Sequence, residues 1–108
     1  MVTMPKAYVI GEVHVRDPES LKEYRDKVLE TVEAFGGRFL ARGGDPLLLE
    51  GNEPLGLPVI LEFDSQADAM AWWNSPQYKT IHGIRLRSAV TRLLFVNGVR
   101  SRDDKPDL

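Results

Sequence analysis

The sequence predicts an α+β domain of the ferredoxin-like type, in which one antiparallel sheet carries both of its helices on a single face. Strand and helix patterns follow one another in the order β-α-β-(hairpin)-β-α-β, which is the split βαβ arrangement. Strand residues separate by parity into a wholly apolar face and a mixed face. The length of 108 residues suits one domain with one core.

The first strand and the first helix are predicted in residues 7–16 and 17–37. The strand alternates between two sets of side chains, which period-two spacing places on opposite sides of a sheet. Asp17 caps the helix and Pro18 suits its first position. Its apolar stripe recurs at three- and four-residue steps through Leu21, Tyr24, Val28, Val32 and Phe35.

The middle of the chain predicts a hairpin with an irregular connection. Residues 38–42 and 59–63 alternate as strands, and a glycine pair followed by Asp45 and Pro46 marks a turn between them. We expect residues 47–50 to add a short strand before the loop.

The last third predicts a divided helix and a final strand. Ser65 and Asp68 have capping-box spacing. Pro76 interrupts the helix and Ser75 can cap its restart. Residues 91–96 read as the last strand. We expect a folded domain at residues 7–99, with disordered ends at 1–6 and 100–108.

Parity gives the two faces of the sheet different characters. The apolar face is expected to meet the helices and holds Val9, Val13, Val15, Phe39, Ala41, Val59, Leu61, Phe63, Leu93 and Phe95. The mixed face holds Tyr8, Ile10, Glu12, His14, Arg38, Leu40, Arg42, Ile60, Glu62, Arg92 and Leu94. A solvated face would be more uniformly polar, and a core would not hold these charges unpaired. The mixture predicts a homodimer in which two sheets face each other.

Composition and missing motifs argue against several classes of function, among them nucleic-acid binding and cysteine chemistry. The net charge is −2 and no basic stripe occurs, so nucleic acid is not an expected partner. Cysteine is absent, which excludes thiolate nucleophiles and cysteine metal sites. No apolar run is long enough for a membrane span, and no basic leader with an apolar run opens the chain, so we expect a cytoplasmic protein. Dinucleotide, Walker and HExxH motifs are absent, and we expect neither a cofactor nor a metal ion.

Arg42, Glu62 and Glu12 form the first candidate site, because neighbouring strands place all three on the mixed face. A buried arginine there could clamp a substrate carboxylate or enolate bidentately. The alternative is a salt-bridge network at the dimer interface, which desolvates the same groups without a substrate.

His14 and two tyrosines are the other catalytic candidates. His14 could act as a general base oriented by Glu12, or it could be a hydrogen-bonded interface residue. Tyr24 and Tyr78 lie on helix stripes, where a phenol could donate to an oxyanion or simply pack in the core. Trp72 could wall a cavity for an aromatic ligand, or belong to the core.

Several blocks of the sequence together resemble a bacterial family of unknown function, DUF1330. These blocks are AYVIGEVHVRDPESLKEYR, GGRFLARGGDPLLLEG, PVILEFDSQADAMAWWNSPQYKTI and RLRSAVTRLLFVNGV, and they cover roughly residues 7–99. The family resembles the dimeric α+β barrel superfamily, which pairs two ferredoxin-like sheets and includes cofactor-independent monooxygenases, muconolactone isomerases and haem-binding branches. Matched by motif position, the resemblance points to the polar residues Tyr24, Arg42, Glu62, Ser75 and Tyr78.

Two functions remain open from the sequence. The first is a homodimeric enzyme that acts without a cofactor on a small organic or aromatic acid, in a pocket between sheet and helices or at the barrel mouth. In it His14 would be the base, Arg42 the anion clamp, and Tyr24 or Tyr78 the oxyanion donor. Glu12, Glu62, Trp72 and Ser75 would contact the substrate. The second is a small-molecule-binding or assembly module without catalysis.

Overall fold

The computed structural model describes residues 5–101, so most of the two ends expected to be disordered, residues 1–4 and 102–108, lie outside the described residues. The elements follow one another as β1 (Ala7–Val15), α1 (Pro18–Glu33), β2 (Arg38–Arg42), β3 (Leu57–Phe63), α2 (Gln66–Trp73), α3 (Pro76–Ser88) and β4 (Ala89–Asn97). This order confirms the predicted α+β class. The prediction of a short strand at residues 47–50 is wrong, because residues 43–56 form an irregular loop.

The four strands form one antiparallel sheet in the order β2-β3-β1-β4. β1 is central and pairs with β3 and β4 along most of its length. The side chains of Val9, Leu61 and Phe63 are buried against the helices, as the parity of the strands predicts. The opposite side, which we call the outer face, carries the other parity set: Tyr8, Ile10, Glu12, His14, Arg38, Glu62, Arg92 and Leu94.

A bulge in β2 reverses the side on which its last residues lie. Phe39 pairs with Leu61, but Ala41 pairs with Ile60 and Arg42 with Val59, so β2 carries one extra residue. Residues directly opposite each other share a face, which puts Ala41 on the outer face and Arg42 on the helix side. The predicted placement of Arg42 beside Glu12 and Glu62 is therefore wrong. Strict alternation holds only for an uninterrupted ladder.

An aromatic cluster forms the centre of the core. Phe63, Trp72 and Tyr78 are almost fully buried, and the ring centroid of Trp72 lies 5.6 Å from that of Phe63 and 4.4 Å from that of Tyr78. These rings join α2 and α3 to β3 and leave little freedom for either helix to shift. Within residues 5–101, no helix has the length and apolar character needed to cross a lipid bilayer.

Candidate functional site

A cavity of about 390 Å³ lies between the helix-facing side of the sheet and the helix layer. Its floor is apolar and includes Val9, Val13, Val59, Leu61 and Leu93. The volume falls in the range of small-molecule sites, about 300–1,000 Å³. Within residues 5–101, three arginines and no acidic residue line the cavity: Arg25, Arg42 and Arg85. The site is therefore an apolar space with a surplus of positive charge.

Arg85 is the most unusual of these lining residues, because its side chain is buried on α3 with only 3% of its surface exposed. Its Nε donates to the Tyr78 hydroxyl over 3.2 Å and its Nη1 donates to Thr91 Oγ1. Within residues 5–101, no carboxylate lies within 4.0 Å of it. A buried charge is costly unless it is paired, so this guanidinium is suited to an anion that residues 5–101 do not supply.

One nitrogen of Arg85 stays available. Its Nη2 makes no hydrogen bond of ordinary geometry in the described part of the chain. Burial raises the pKa of the nearby Tyr24 phenol, and hydrogen bonding to the Arg85 side chain opposes that rise. Because Arg85 lines the cavity, this nitrogen is the donor that a bound acid can reach. Thr91 and Tyr78 hold the other two nitrogens and so fix the orientation of the guanidinium plane.

Tyr24 supplies a second donor beside Arg85. Its hydroxyl lies 3.0 Å from that of Tyr78, and the guanidinium carbon of Arg85 lies 5.9 Å from the centroid of its ring. Tyr78 is fully buried and its oxygen accepts from Arg85, while either phenol can donate the hydrogen of the bond between Tyr24 and Tyr78. Tyr24 also lines the cavity, so a bound acid can meet its phenol there.

The ionisation of Tyr24 fits this donor role. Burial raises the pKa of the Tyr24 phenol far above its ordinary value, and the adjacent Tyr78 hydroxyl raises it further. Tyr24 thus stays protonated across the physiological pH range and can donate a hydrogen bond. Both predicted tyrosines meet at the site, but only Tyr24 lines the cavity, whereas Tyr78 positions Tyr24 and Arg85 from behind.

Arg42 lies at the cavity mouth, which we define by Arg25, Arg42 and Gly43. Its guanidinium carbon sits 4.6 Å from the centroid of the Phe39 ring, and its Nη2 donates to the Arg25 carbonyl over 3.5 Å. The bulge in β2 brings Arg42 to this position. The residue chosen from the sequence as an anion clamp therefore does line a cavity, on the face opposite to the one predicted.

His14 lies away from this site. It pairs with Val90 on the outer face and is exposed to solvent. The hypothesis that His14 and Arg42 converge on one substrate within a chain is wrong, because the sheet separates them. His82 instead joins the aromatic cluster, stacked on Tyr78 at 5.3 Å, and burial together with the charges of Arg85 and Lys79 lowers its pKa.

Glu12 and Glu62 lie on the outer face, each paired with an arginine of a neighbouring strand. Arg92 Nε donates to Glu12 over 2.8 Å, and Arg38 lies 2.6 Å from Glu62. Hydrogen bonding to Arg92 lowers the pKa of Glu12, and hydrogen bonding to Arg38 lowers that of Glu62. Arg42 takes no part in either pair, so the predicted cluster of Arg42 with these two glutamates is wrong.

Trp72 belongs to the core and also lines the cavity, so both roles that the sequence suggested for it are present. Its Nε1 donates to Thr31 Oγ1 over 3.1 Å, and its ring forms part of the cavity wall. Its position makes tryptophan fluorescence, to which the neighbouring Trp73 also contributes, a reporter for binding in the cavity.

Ser75 is a helix cap. Its hydroxyl accepts from Tyr78 N over 3.1 Å and donates to the Trp72 carbonyl over 2.7 Å, at the break between α2 and α3. Ser75 is not among the residues that line the cavity. Its contact with the substrate, which the sequence suggested, has no support from this position.

We expect Ser75→Ala to lower the free energy of unfolding by about 1–2 kcal/mol, because it removes the cap of α3 and leaves the buried Tyr78 N–H without its acceptor. Urea unfolding followed by circular dichroism measures this change. Acid binding by the folded variant should match that of the wild type. A variant as stable as the wild type would contradict the capping role.

Sequence reasoning missed Arg85 and Thr91, although one signal was available. The buried stripe of α3 runs through Tyr78, Ile81, Arg85 and Ser88 at steps of three and four. An arginine on such a stripe is rarely buried without a reason. Within residues 5–101, no three His, Asp or Glu side chains cluster closely enough to hold a metal ion.

A family model matches residues 6–99, nearly the whole chain. The chain belongs to the DUF1330 family. That family is described as a domain of unknown function. No curated protein sequence matches this DUF1330 chain.

Solved structures share the fold of this DUF1330 chain at low sequence identity. The RPA0582 protein of unknown function from Rhodopseudomonas palustris has 20% identity and a TM-score of 0.69, over 90% of this chain and 85% of that one. A hypothetical protein of Arabidopsis thaliana has 16% identity and a TM-score of 0.59, over 89% and 88%. A dimeric ferredoxin-like protein of unknown function from Thermobifida fusca has 14% identity and a TM-score of 0.52, over 90% and 94%. These likenesses support the ferredoxin-like fold.

The chemistry that this DUF1330 cavity offers is donation of hydrogen bonds to an anion. Arg85 and Tyr24 supply donors at its polar end, and the rest of the floor is apolar. Among residues 5–101, no histidine, aspartate or glutamate lines the cavity, so its described wall offers no imidazole or carboxylate base. The geometry therefore favours capture of an organic anion, or stabilisation of an oxyanion, over abstraction of a proton.

Proposed function

We propose that this DUF1330 protein binds a small organic acid in the cavity between its sheet and its helices. The carboxylate meets Arg85 and Tyr24, and the apolar part lies on the valine and leucine floor. The observation that carries this proposal is the buried Arg85 guanidinium, which lacks a carboxylate partner within residues 5–101 and lines an apolar cavity. A ligand carboxylate would compensate its charge.

Titration of the wild-type protein with octanoate and with octanol tests this proposal, because the two ligands share an apolar chain and differ in charge. Trp72 fluorescence and calorimetry follow the binding. We expect octanoate to bind at least about tenfold more tightly, since charged hydrogen bonds contribute about 1.5–3 kcal/mol each. Equal affinities, or no binding of octanoate, benzoate or phenylacetate, would reject the proposal.

Catalysis on such an acid, without a cofactor, is the second candidate. The protonated Tyr24 phenol beside the Arg85 guanidinium is an arrangement that can stabilise an enolate or a related oxyanion. The cavity wall carries no base, so a substrate that ionises readily suits it best. Deuterium exchange at C3 of phenylpyruvate, the methylene between the ring and the keto group, measured by NMR with wild type and Tyr24→Phe, separates catalysis from binding alone.

We also infer that two copies pair through the outer faces of their sheets. Ile10 lies between Ile60 and Leu94 on that face, and Leu94 is 50% exposed in a single chain. The loop of residues 43–56 extends over the same side, where Leu55 N donates to Glu12 over 2.9 Å. A second copy would cover the apolar centre and surround it with the Arg–Glu pairs, a usual pattern of interfaces. The dimeric ferredoxin-like neighbour from Thermobifida fusca is consistent with this pairing.

A further inference from the structure

We propose that the natural ligand of this cavity is a dianion, with an apolar body and an acidic group at each end. This inference rests on the proposed function, because it assumes that one carboxylate meets Arg85. The second acidic group would lie at the mouth, between Arg25 and Arg42. The cavity thus selects diacids over monoacids of the same length.

The two cationic ends of the cavity lie over opposite edges of the sheet. Arg85 is bonded to Thr91 on β4, whereas Arg42 stacks on Phe39 of β2. In the order β2-β3-β1-β4, three strand spacings of about 4.8 Å separate these edges by about 14 Å. Arg85 bonds to Thr91 at one edge and Arg42 packs on Phe39 at the other, so we place the two acidic groups of the ligand at separate ends of the cavity.

The surface between the two ends is apolar. The floor crosses β3, β1 and β4 through Val59, Val13 and Leu93, and none of the lining residues is acidic. A ligand that reaches both ends therefore needs a hydrocarbon or aromatic middle. A second acidic group in that middle would lose its water without gaining a partner.

The arginines at the mouth lack acidic partners, in contrast to those of the outer face. Arg38 is paired with Glu62 and Asp64, and Arg92 is paired with Glu12. Within residues 5–101, Arg25 and Arg42 form no ion pair: Arg25 donates to the Pro18 carbonyl, and Arg42 to the Arg25 carbonyl. Two cationic side chains that line the same cavity without an acidic partner favour an anion at that end of it.

A ligand with a single carboxylate leaves one end of this cavity unmatched. If its carboxylate stays at the mouth, the buried Arg85 remains uncompensated, which is the more costly arrangement. If it meets Arg85, an apolar tail points at the two guanidinium groups of the mouth. A diacid satisfies both ends at once.

The test compares matched acids on wild-type protein: hexanoate with hexanedioate, octanoate with octanedioate, and decanoate with decanedioate. Calorimetry and Trp72 fluorescence give the ratio of diacid to monoacid affinity for each length. We expect this ratio to reach about 10 for the best length, because the second carboxylate gains charge-assisted hydrogen bonds at a partly screened site. Higher salt should lower the ratio, since the mouth arginines are exposed.

Arg42→Gln identifies the origin of the preference. We expect the diacid-to-monoacid ratio of this variant to fall to about 1. Arg87→Gln is the matched control, because Arg87 is an exposed arginine of α3 outside the cavity lining, and its ratio should equal that of the wild type.

The outcomes separate this inference from the proposed function. A ratio near 1 in the wild type at every length, with octanoate still bound, overturns the dianion and leaves the proposed function standing. A ratio that Arg42→Gln does not change overturns the assignment of the mouth as the second subsite. Failure of every acid to bind overturns both.

Discussion

Replacing Arg85 by methionine should reduce the affinity for octanoate by about 100-fold while leaving the fold as stable as the wild type or more so. Methionine keeps much of the volume of the side chain but removes the donor that meets the carboxylate. Loss of charged hydrogen bonds of about 1.5–3 kcal/mol gives a change of this size. Calorimetry measures the affinity, and urea unfolding measures the stability.

The unfolding stability of Arg85→Met distinguishes a ligand-binding role of Arg85 from a structural one. Arg85 is buried without a carboxylate partner in the described chain, so the fold keeps its charge away from water at a cost. Tyr78 retains its hydrogen bond to Tyr24 after the substitution, and the core rings stay in contact. Removing an uncompensated buried charge is often neutral or stabilising. Under the proposed function, the carboxylate of a bound acid offsets this cost.

Arg87→Met controls for the loss of an arginine from α3, because Arg87 is exposed and should keep wild-type affinity. Arg85→Lys keeps the charge without the planar fork and should bind octanoate with intermediate affinity. An Arg85→Met protein that binds octanoate normally but unfolds several kcal/mol more easily would show that Arg85 is structural and that the site is assigned wrongly.

Replacing Ile10 by aspartate should convert the proposed dimer to a monomer. Ile10 lies in the centre of the outer face, between Ile60 on β3 and Leu94 on β4. In a two-fold interface each substitution occurs twice, so two unpaired carboxylates would be buried, at a cost of several kcal/mol. Size exclusion with light scattering at micromolar concentration measures the mass.

Two further variants separate the interface from other effects of charge. Ile10→Lys should also dissociate the dimer, which distinguishes burial of a charge from attraction of an aspartate to the nearby Arg92. Leu86→Asp changes an exposed leucine of α3, on the helix side of the molecule, and should remain dimeric. A wild-type protein that runs as a monomer, or an Ile10→Asp protein that stays dimeric, would contradict the pairing of outer faces.

Local pattern predicted most of the fold. The cap at Asp17 and the break at Pro76 were predicted from residue type alone, because capping and the missing proline donor act within one helical turn. The alternation in β1 and β3 identified the helix-facing side, since side-chain direction in a strand depends on parity. The predicted strand at residues 47–50 is wrong for a reason that local pattern does not contain. Its three leucines resemble a strand, but within residues 5–101 no strand pairs with them.

The candidate site was predicted only in part. Tyr24 and Tyr78 were found because each lies on an apolar stripe with a polar atom at its end. Arg42 was assigned to the wrong face, because a bulge of one residue is invisible to counting by twos. Arg85 was not predicted as a site residue. A charged residue on a helix is expected to face solvent unless the packing around that helix is known.

By itself, the sequence determined most of the strands and helices, which sheet face is apolar, and that the other face mixes large apolar side chains with charges. These properties follow from residue type and spacing within one element. Only the tertiary structure decided that Arg25, Arg42 and Arg85 meet at one cavity and that His14 does not. They lie on three elements, α1, β2 and α3, and their meeting depends on strand order, a bulge and helix packing, which no local pattern encodes.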